Sequence, residues 1–214
     1  MKKVYTERTC TERSRSSRSG FTLVEMVVVI AVIAIIGVLI VTIFSRSLRG
    51  GNKTLALGVI KQNGQSVLES MDKTVRNADN IVCVNTSTNT FVIFKEGIYT
   101  RYRIIAEIPS SNGHFVQDTP TVVPDPDAIL LANLCSDSMP QVIILTDTNR
   151  QTGVSVIQAK DGLGSNLPYF DRKQLAGFKD AFTIQFALKP GVLAPDIVSG
   201  QIDPITFQTT ISLR

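Results

Sequence analysis

The chain has 214 residues, with 22 lysines and arginines against 18 aspartates and glutamates, which gives a formal net charge of +4. An apolar content of 43% excludes a disordered chain, and three cysteines are too few for a disulfide scaffold. With only one histidine, a zinc site of the usual His/Cys type is disfavoured.

The excess positive charge lies at the N-terminus. Residues 1–20 contain six basic and two acidic side chains, and residues 21–214 contain 16 of each. The basic character of the protein is therefore a property of its first 20 residues.

A long apolar run follows this basic segment. Residues 26–45, MVVVIAVIAIIGVLIVTIFS, carry no charge, and a helix of this length spans about 30 Å, the thickness of the hydrocarbon core of a bilayer. A cleaved secretory signal is the competing interpretation, but its apolar core is only about 7–15 residues long and ends in a small-x-small site. We predict a retained membrane anchor with a cytoplasmic N-terminus, because basic residues are more numerous before the run than after it.

Glu25 lies at the edge of this anchor. A carboxylate near the centre of a membrane segment costs about 2.5–3.5 kcal/mol, and such a residue is by default a functional hypothesis. The alternative is that Glu25 lies among the lipid headgroups and only marks the edge of the helix.

The leader ending in Gly20, the sequence FTLVE at residues 21–25 and the apolar run together resemble the prepilin N-terminus of type IV pilins and type II secretion pseudopilins. The resemblance implies that a prepilin peptidase cleaves after Gly20 and N-methylates Phe21. It also implies that Glu25 pairs with the N-terminal amine of a neighbouring subunit and so sets the axial register of a filament. Inside an apolar filament such a pair attracts more strongly than in water. Thr42 stands where many major pilins have proline, which weakens assignment as a major subunit.

The predicted domains follow from these features. Residues 1–20 are a cytoplasmic leader, 21–50 a transmembrane and filament-assembly helix, 51–80 its amphipathic continuation, and 81–214 a β-rich extracytoplasmic domain. An apolar stripe at three- and four-residue steps predicts that the helix reaches about residue 80 and packs on this domain: Ile60, Gly64, Val67/Leu68, Met71, Val75, Ala78 and Val82. Gly50 and Gly51 are a predicted weak point of this helix, because glycine disfavours the helical conformation. The fold class is α+β and pilin-like, with a long N-terminal helix on an antiparallel sheet.

Alternating apolar segments predict the strands. Residues 91–94 and 98–105 indicate one hairpin, 141–147 and 154–159 a second, and 181–188 and 205–213 further strands. Residues 109–127, 160–174 and 189–204 are rich in turn formers and are predicted to be loops.

A narrower resemblance rests on three short segments. LESMDKTVRNADNI at the end of the helix, the hairpin that follows, and FQTTISLR at the C-terminus are similar to W-type minor pilins and J-type minor pseudopilins.

The exterior domain shows little sign of catalytic chemistry. His114 is predicted to be an exposed loop residue, because it lies in a Ser-Asn-Gly-rich segment. It is also the one histidine that could act as the base for a serine or cysteine nucleophile. Asp147, Asn149, Gln151 and Gly153 alternate like calcium ligands, but a hairpin turn fits them better because glycine falls one place late. Asp125 and Asp127 are equally weak candidates for calcium ligands. We expect no enzyme activity, no cofactor and no bound metal.

Two cysteines remain outside after cleavage. Cys10 belongs to the leader, which leaves Cys83 and Cys135 in a compartment where disulfides persist. We predict a bridge between them; the alternative is two buried apolar thiols.

The favoured function is a structural subunit, a minor pilin or pseudopilin. Its expected partners are the prepilin peptidase, other pilin or pseudopilin subunits, an inner-membrane assembly platform and, before assembly, membrane lipid. One alternative is a competence or adhesion pilin that binds DNA or a surface. Residues 51–214 carry 14 basic and 15 acidic side chains, so nucleic-acid binding is not expected except through a local patch such as Arg101 and Arg103. The other alternative is a bitopic membrane enzyme or sensor.

Overall fold

The computed structural model describes residues 20–122, 128–139, 141–174, 180–195, 200 and 202–212. The chain divides into two compact units, and the boundary between them in the sequence falls between Ser47 and Leu48. The predictions for Cys10, Asp125 and Asp127 lie outside the described residues.

One long helix begins the described chain. Helix α1 covers Leu23–Arg76, 54 residues, so the predicted long helix is confirmed and ends about four residues earlier than expected. It continues through Gly50 and Gly51 without interruption, and the predicted weak point is therefore not a break. Among the described residues α1 is the one helix that is long and apolar enough to cross a membrane, and its most apolar window is not buried within the chain.

The second unit buries one face of the C-terminal part of α1. The buried positions are Ile60, Gly64, Val67, Met71 and Val75. They recur at steps of three and four residues and so form a single stripe along the helix. The amphipathic stripe predicted from the sequence is confirmed from Ile60 to Val75, whereas Ala78 lies beyond the end of the helix and Val82 lies in the strand that follows.

A five-stranded antiparallel sheet follows α1. Its strands are β1 Asn80–Asn85, β2 Thr90–Lys95, β3 Ile98–Ile105, β4 His114–Asp118 and β5 Ile143–Ile144, in that spatial order. Strands β2 and β3 form the first predicted hairpin, which turns through Glu96 and Gly97, both with positive φ. A short helix, α2 Ala128–Asn133, lies between β4 and β5 in the chain.

A second antiparallel sheet completes the domain. Its strands are β6 Val154–Ile157, β7 Phe170–Lys173, β8 Ala181–Pro190 and β9 Ile205–Ser212. Strand β8 pairs with each of the other three. The predicted strands at 181–188 and 205–213 are confirmed as β8 and β9, and with them the α+β class.

The two sheets and the helix share one core. The ring of Phe91 on β2 contacts Tyr102 on β3 and reaches across to Phe170 and Phe182 of the second sheet, with ring centroids 4.6–4.9 Å from that of Phe91. Such aromatic pairs contribute about 0.5–1.5 kcal/mol beyond their buried area. The aromatic cluster therefore joins the sheets into one domain.

The second predicted hairpin is wrong. Strand β5 pairs with β4, whereas β6 pairs with β8 in the other sheet. The turn at Asn149 carries the chain from one sheet to the next: its side-chain oxygen accepts the N–H groups of Gln151 and Thr152. Two apolar runs around a turn signal predict a hairpin locally, but these runs take different partners in the tertiary fold.

Two predicted loops contain strands. Strand β4 lies within 109–127 and buries both Phe115 and Val116, and β7 lies within 160–174 and buries Phe170. Both strands are short and flanked by glycine, proline or serine, so turn signals dominated the sequence prediction. In the third loop, 189–204, β8 continues through Pro190.

Candidate functional site

The described residues before α1 are not part of the helix. Gly20, Phe21 and Thr22 are not helical, and Leu23 is the first helical residue. Thr22 is the N-cap: its carbonyl oxygen accepts the Met26 N–H at 3.2 Å, and its hydroxyl oxygen accepts the Glu25 N–H at 3.2 Å. A threonine cap of this kind satisfies one of the backbone donors that a helix start leaves free.

Glu25 occupies the third position of the helix. Thr22 and Glu25 thus have the Thr-x-x-Glu spacing of a capping box. A carboxylate in the first turn also lies at the positive end of the helix dipole, which stabilises its charge. The two sequence-predicted site features are therefore close in the chain: the Gly20–Phe21 bond lies outside the helix, and Glu25 lies within its first turn.

Both sides of the predicted cleavage bond are open to solvent. Gly20 is exposed, and Phe21 has 74% of its surface exposed. The apolar side chains of α1 that follow, as far as Phe44, are also exposed within the single chain. A surface this apolar requires lipid or another protein to cover it.

Arg101 does not form the basic patch considered from the sequence. The residue is only 1% exposed, and its guanidinium group donates to both carboxylate oxygens of Asp118, at 2.9 and 2.5 Å. Its remaining bonds go to the carbonyl oxygens of Leu134, Asp137 and Ser138. The charge of Arg101 is therefore neutralised inside the domain and is not exposed at the surface.

Arg103 binds the same segment from the protein surface. Its guanidinium donates to the hydroxyl oxygen of Thr90 and to the carbonyl oxygens of Cys135 and Asp137. Burial, with the positive charge of Arg101 as the next cause, lowers the pKa of Arg103 below its usual value. The two arginines hold the chain just after α2, a structural role.

The disulfide attaches this segment covalently. The Sγ atoms of Cys83 on β1 and Cys135 are joined, 52 residues apart in sequence. Thr88 adds a hydrogen bond from its hydroxyl to the Cys135 carbonyl oxygen at 2.8 Å.

The histidine and the candidate calcium residues have local partners. His114 is the first residue of β4 rather than an exposed loop residue; it is half-buried, and its Nδ1 lies 2.9 Å from the carbonyl oxygen of Asn112. Asp147 accepts the Asn149 N–H in a turn. In the described part of the chain no group of three or more His, Cys, Asp or Glu side chains is arranged to hold a metal ion.

A polar cluster links the two sheets. Glu107, just after β3, accepts hydrogen bonds from the Ser155 hydroxyl on β6 and from Lys189 on β8, the latter at 2.8 Å. Ser155 is fully buried, so a substrate could not reach its hydroxyl group. Burial and, second, the negative charge of Glu107 raise the pKa of Tyr169 to about 12. This cluster is a partly buried crosslink between the two sheets.

Comparison with known proteins gives one match. Residues 15–41 match the family model described as the prokaryotic N-terminal methylation motif. No curated protein and no solved structure matches the chain. The motif supports a structural subunit of the type IV pilin and pseudopilin family rather than an enzyme. It implies processing by a prepilin peptidase and assembly with other pilin subunits, and the apolar N-terminal helix fits a single-pass membrane anchor.

Thr22 is a residue of the site that was not predicted from the sequence, where it forms part of FTLVE. Threonine three residues before glutamate at the edge of an apolar run is nevertheless a helix-start signature that could have identified it. That signature marks the helix start at the position the structure gives.

Proposed function

We propose that this protein is a minor pilin or pseudopilin that assembles into a type IV pilus or a type II secretion filament through its N-terminal helix. The observation that carries the proposal is the methylation motif at 15–41, within which Gly20 and Phe21 are exposed and not helical immediately before α1. The resemblance of the helix end, the first hairpin and the last strand to W-type and J-type minor subunits supports a minor role.

Before assembly the protein is a single-pass protein of the cytoplasmic membrane, with its leader in the cytoplasm and the β-rich domain outside. Cleavage after Gly20 and N-methylation leave a cationic amine on Phe21. The Glu25 carboxylate of a neighbouring subunit then gains a partner of opposite charge, which favours one axial register as subunits leave the bilayer. Apolar side chains that contact lipid in the membrane contact other subunits in the filament.

Two observations disfavour a DNA-binding pilin. The domain from Gly51 onward is nearly neutral, and Arg101 is paired with Asp118 in the interior. Broad phosphate-driven binding needs an exposed basic surface.

Mass spectrometry of the full chain, produced in cells with and without a prepilin peptidase, tests the proposal. We expect a peptidase-dependent shift to a chain that begins with methylated Phe21. Gly20→Arg should abolish the shift, whereas Ser17→Arg, which adds the same charge farther from the bond, should preserve it. An unshortened wild-type chain in the presence of an active peptidase would overturn the proposal.

A further inference from the structure

We propose that Thr22 is a positioning residue for N-terminal processing: its side chain fixes the start of α1 so that the Gly20–Phe21 bond stays outside the helix. This inference rests on the proposed function, because it concerns the cleavage of that bond. It assigns to Thr22 a role in the precursor, before any contact with a neighbouring subunit.

Two hydrogen bonds define the boundary. The Thr22 carbonyl oxygen accepts the first helical bond, from Met26, and the Thr22 hydroxyl oxygen accepts the Glu25 N–H. Thr22 itself is not helical, and neither is Phe21. The helix therefore begins two residues after the bond that is to be cut.

The position of this boundary matters to a peptidase. A peptide bond within a helix must first open locally before a peptidase can bind it, so the cleavage rate falls with the population of the open form. A bond that already lies outside the helix and is exposed does not require this step. Phe21 is 74% exposed, as expected for such a bond.

A competing helix start lies three residues upstream. Ser19 is also a residue of the N-cap class, and a helix capped there would place Gly20 and Phe21 in its first turn. Thr22 has the advantage of Glu25 three residues later, the glutamate of a capping box, whereas the residue three after Ser19 is Thr22. Loss of the Thr22 hydroxyl group should therefore shift the helix start toward Ser19 and enclose the scissile bond.

Initial cleavage rates of the full-length precursor by a prepilin peptidase in detergent test this inference. Thr22→Val keeps the shape of the side chain and removes its oxygen, so we expect cleavage to slow by up to about fivefold, the equivalent of one lost helix cap. Thr22→Ser should be cleaved at the wild-type rate. Thr42→Val is the matched control, because it removes a hydroxyl group that bonds to the Val38 carbonyl oxygen well inside the helix; its rate should not change.

A second-site variant separates helix positioning from direct recognition of Thr22 by the peptidase. Ser19→Ala removes the competing cap, so in the Thr22→Val background it should restore most of the rate, with Ser19→Ala alone as the reference. Wild-type cleavage of Thr22→Val would overturn the inference, and so would slow cleavage without rescue. If the wild-type precursor itself is not cleaved, the proposed function fails instead, and the two failures are distinguishable.

Discussion

The aromatic ring of Phe207 on β9 lies directly against Gly64 of α1, where a Cβ atom would overlap it. Glycine in a helix interior costs about 0.5–1 kcal/mol relative to alanine, so its presence here is explained by the space that the ring takes. The contact joins the C-terminal strand to the buried face of the helix.

We expect Gly64→Ala to lower the free energy of unfolding by about 1–3 kcal/mol, because the added methyl group overpacks the contact. Gly58→Ala, in the same helix with open space around its Cα, should instead raise stability by up to about 1 kcal/mol. Denaturant unfolding of the full chain in detergent measures both. Phe207→Leu combined with Gly64→Ala should recover part of the loss; strict additivity of the two changes would contradict the contact.

The buried pair of Arg101 and Asp118 gives a second prediction. Asp118→Asn leaves the guanidinium in the interior without its counter-charge, and breaking such a pair typically costs about 3–5 kcal/mol. Asp171→Asn removes a carboxylate from the exposed pair with Lys173, 4.0 Å apart, and should cost less than about 1 kcal/mol. Equal unfolding midpoints for the two variants would show that Arg101 is not buried as described.

The helix, its buried stripe and the longest strands could be predicted because their patterns are local. The stripe from Ile60 to Val75 has a single period, and β2 and β3 are adjacent apolar runs around a glycine turn. The partner of β6 could not be predicted, since β8 lies some 30 residues later and nothing near Val154 indicates it. The burial of Phe115 and Phe170 could not be predicted, because it depends on distant elements and not on neighbouring residues.

The candidate site also contains features that local sequence patterns predict and features that depend on distant residues. Gly20, Phe21 and Glu25 were found because they belong to one contiguous motif. The role of Arg101 could not be read from its sequence neighbours, because its acceptors on Asp118 and the segment after α2 are 17 to 37 residues away.

The disulfide determines how many free thiols the precursor and the processed chain should each have. Under denaturing, non-reducing conditions the precursor should show one free thiol, that of Cys10, and the processed chain none; reduction should add two to each. Because the bridge closes a loop of 52 residues, chain entropy suggests that reduction lowers the free energy of unfolding by about 4 kcal/mol. Two free thiols in the unreduced, processed chain would contradict the bridge.

Tyr169 should make stability depend on alkaline pH. Its pKa is raised from 10.0 to about 12, so the unfolded chain loses this proton first as the pH rises. The free energy of unfolding that protonated Tyr169 contributes is therefore fully present below about pH 10 and is lost between about pH 10 and 12. Ultraviolet absorbance should show tyrosinate that forms late in the folded chain, to which Tyr102 also contributes because burial raises its pKa. Tyr169→Phe should lower the amplitude of this late step, and Tyr102→Phe should remove a separate part of it. An unchanged late step in Tyr169→Phe would contradict the assignment.

Glu25→Gln should separate processing from assembly. The amide keeps the size of the side chain but removes the charge that is proposed to pair with the Phe21 amine. We expect normal cleavage and methylation by mass spectrometry, with at least a tenfold loss of the subunit from sheared filaments, equivalent to about 1.4 kcal/mol. Glu69→Gln, on an exposed face of the same helix, is the control. Filament incorporation equal to wild type would remove the registry role.

The bridge between Cys83 and Cys135 also has a mechanical consequence. Strands β2, β3 and β4 and helix α2 all lie in the chain between the two cysteines, so a force applied to the ends of the polypeptide passes through the sulfur atoms and bypasses them. The 52 residues of the loop would otherwise extend by as much as about 170–190 Å. In a subunit under tension, only the segments outside this loop can therefore extend. Strands β2, β3 and β4 are not pulled out of the domain, even if the hydrogen bonds of the first sheet break.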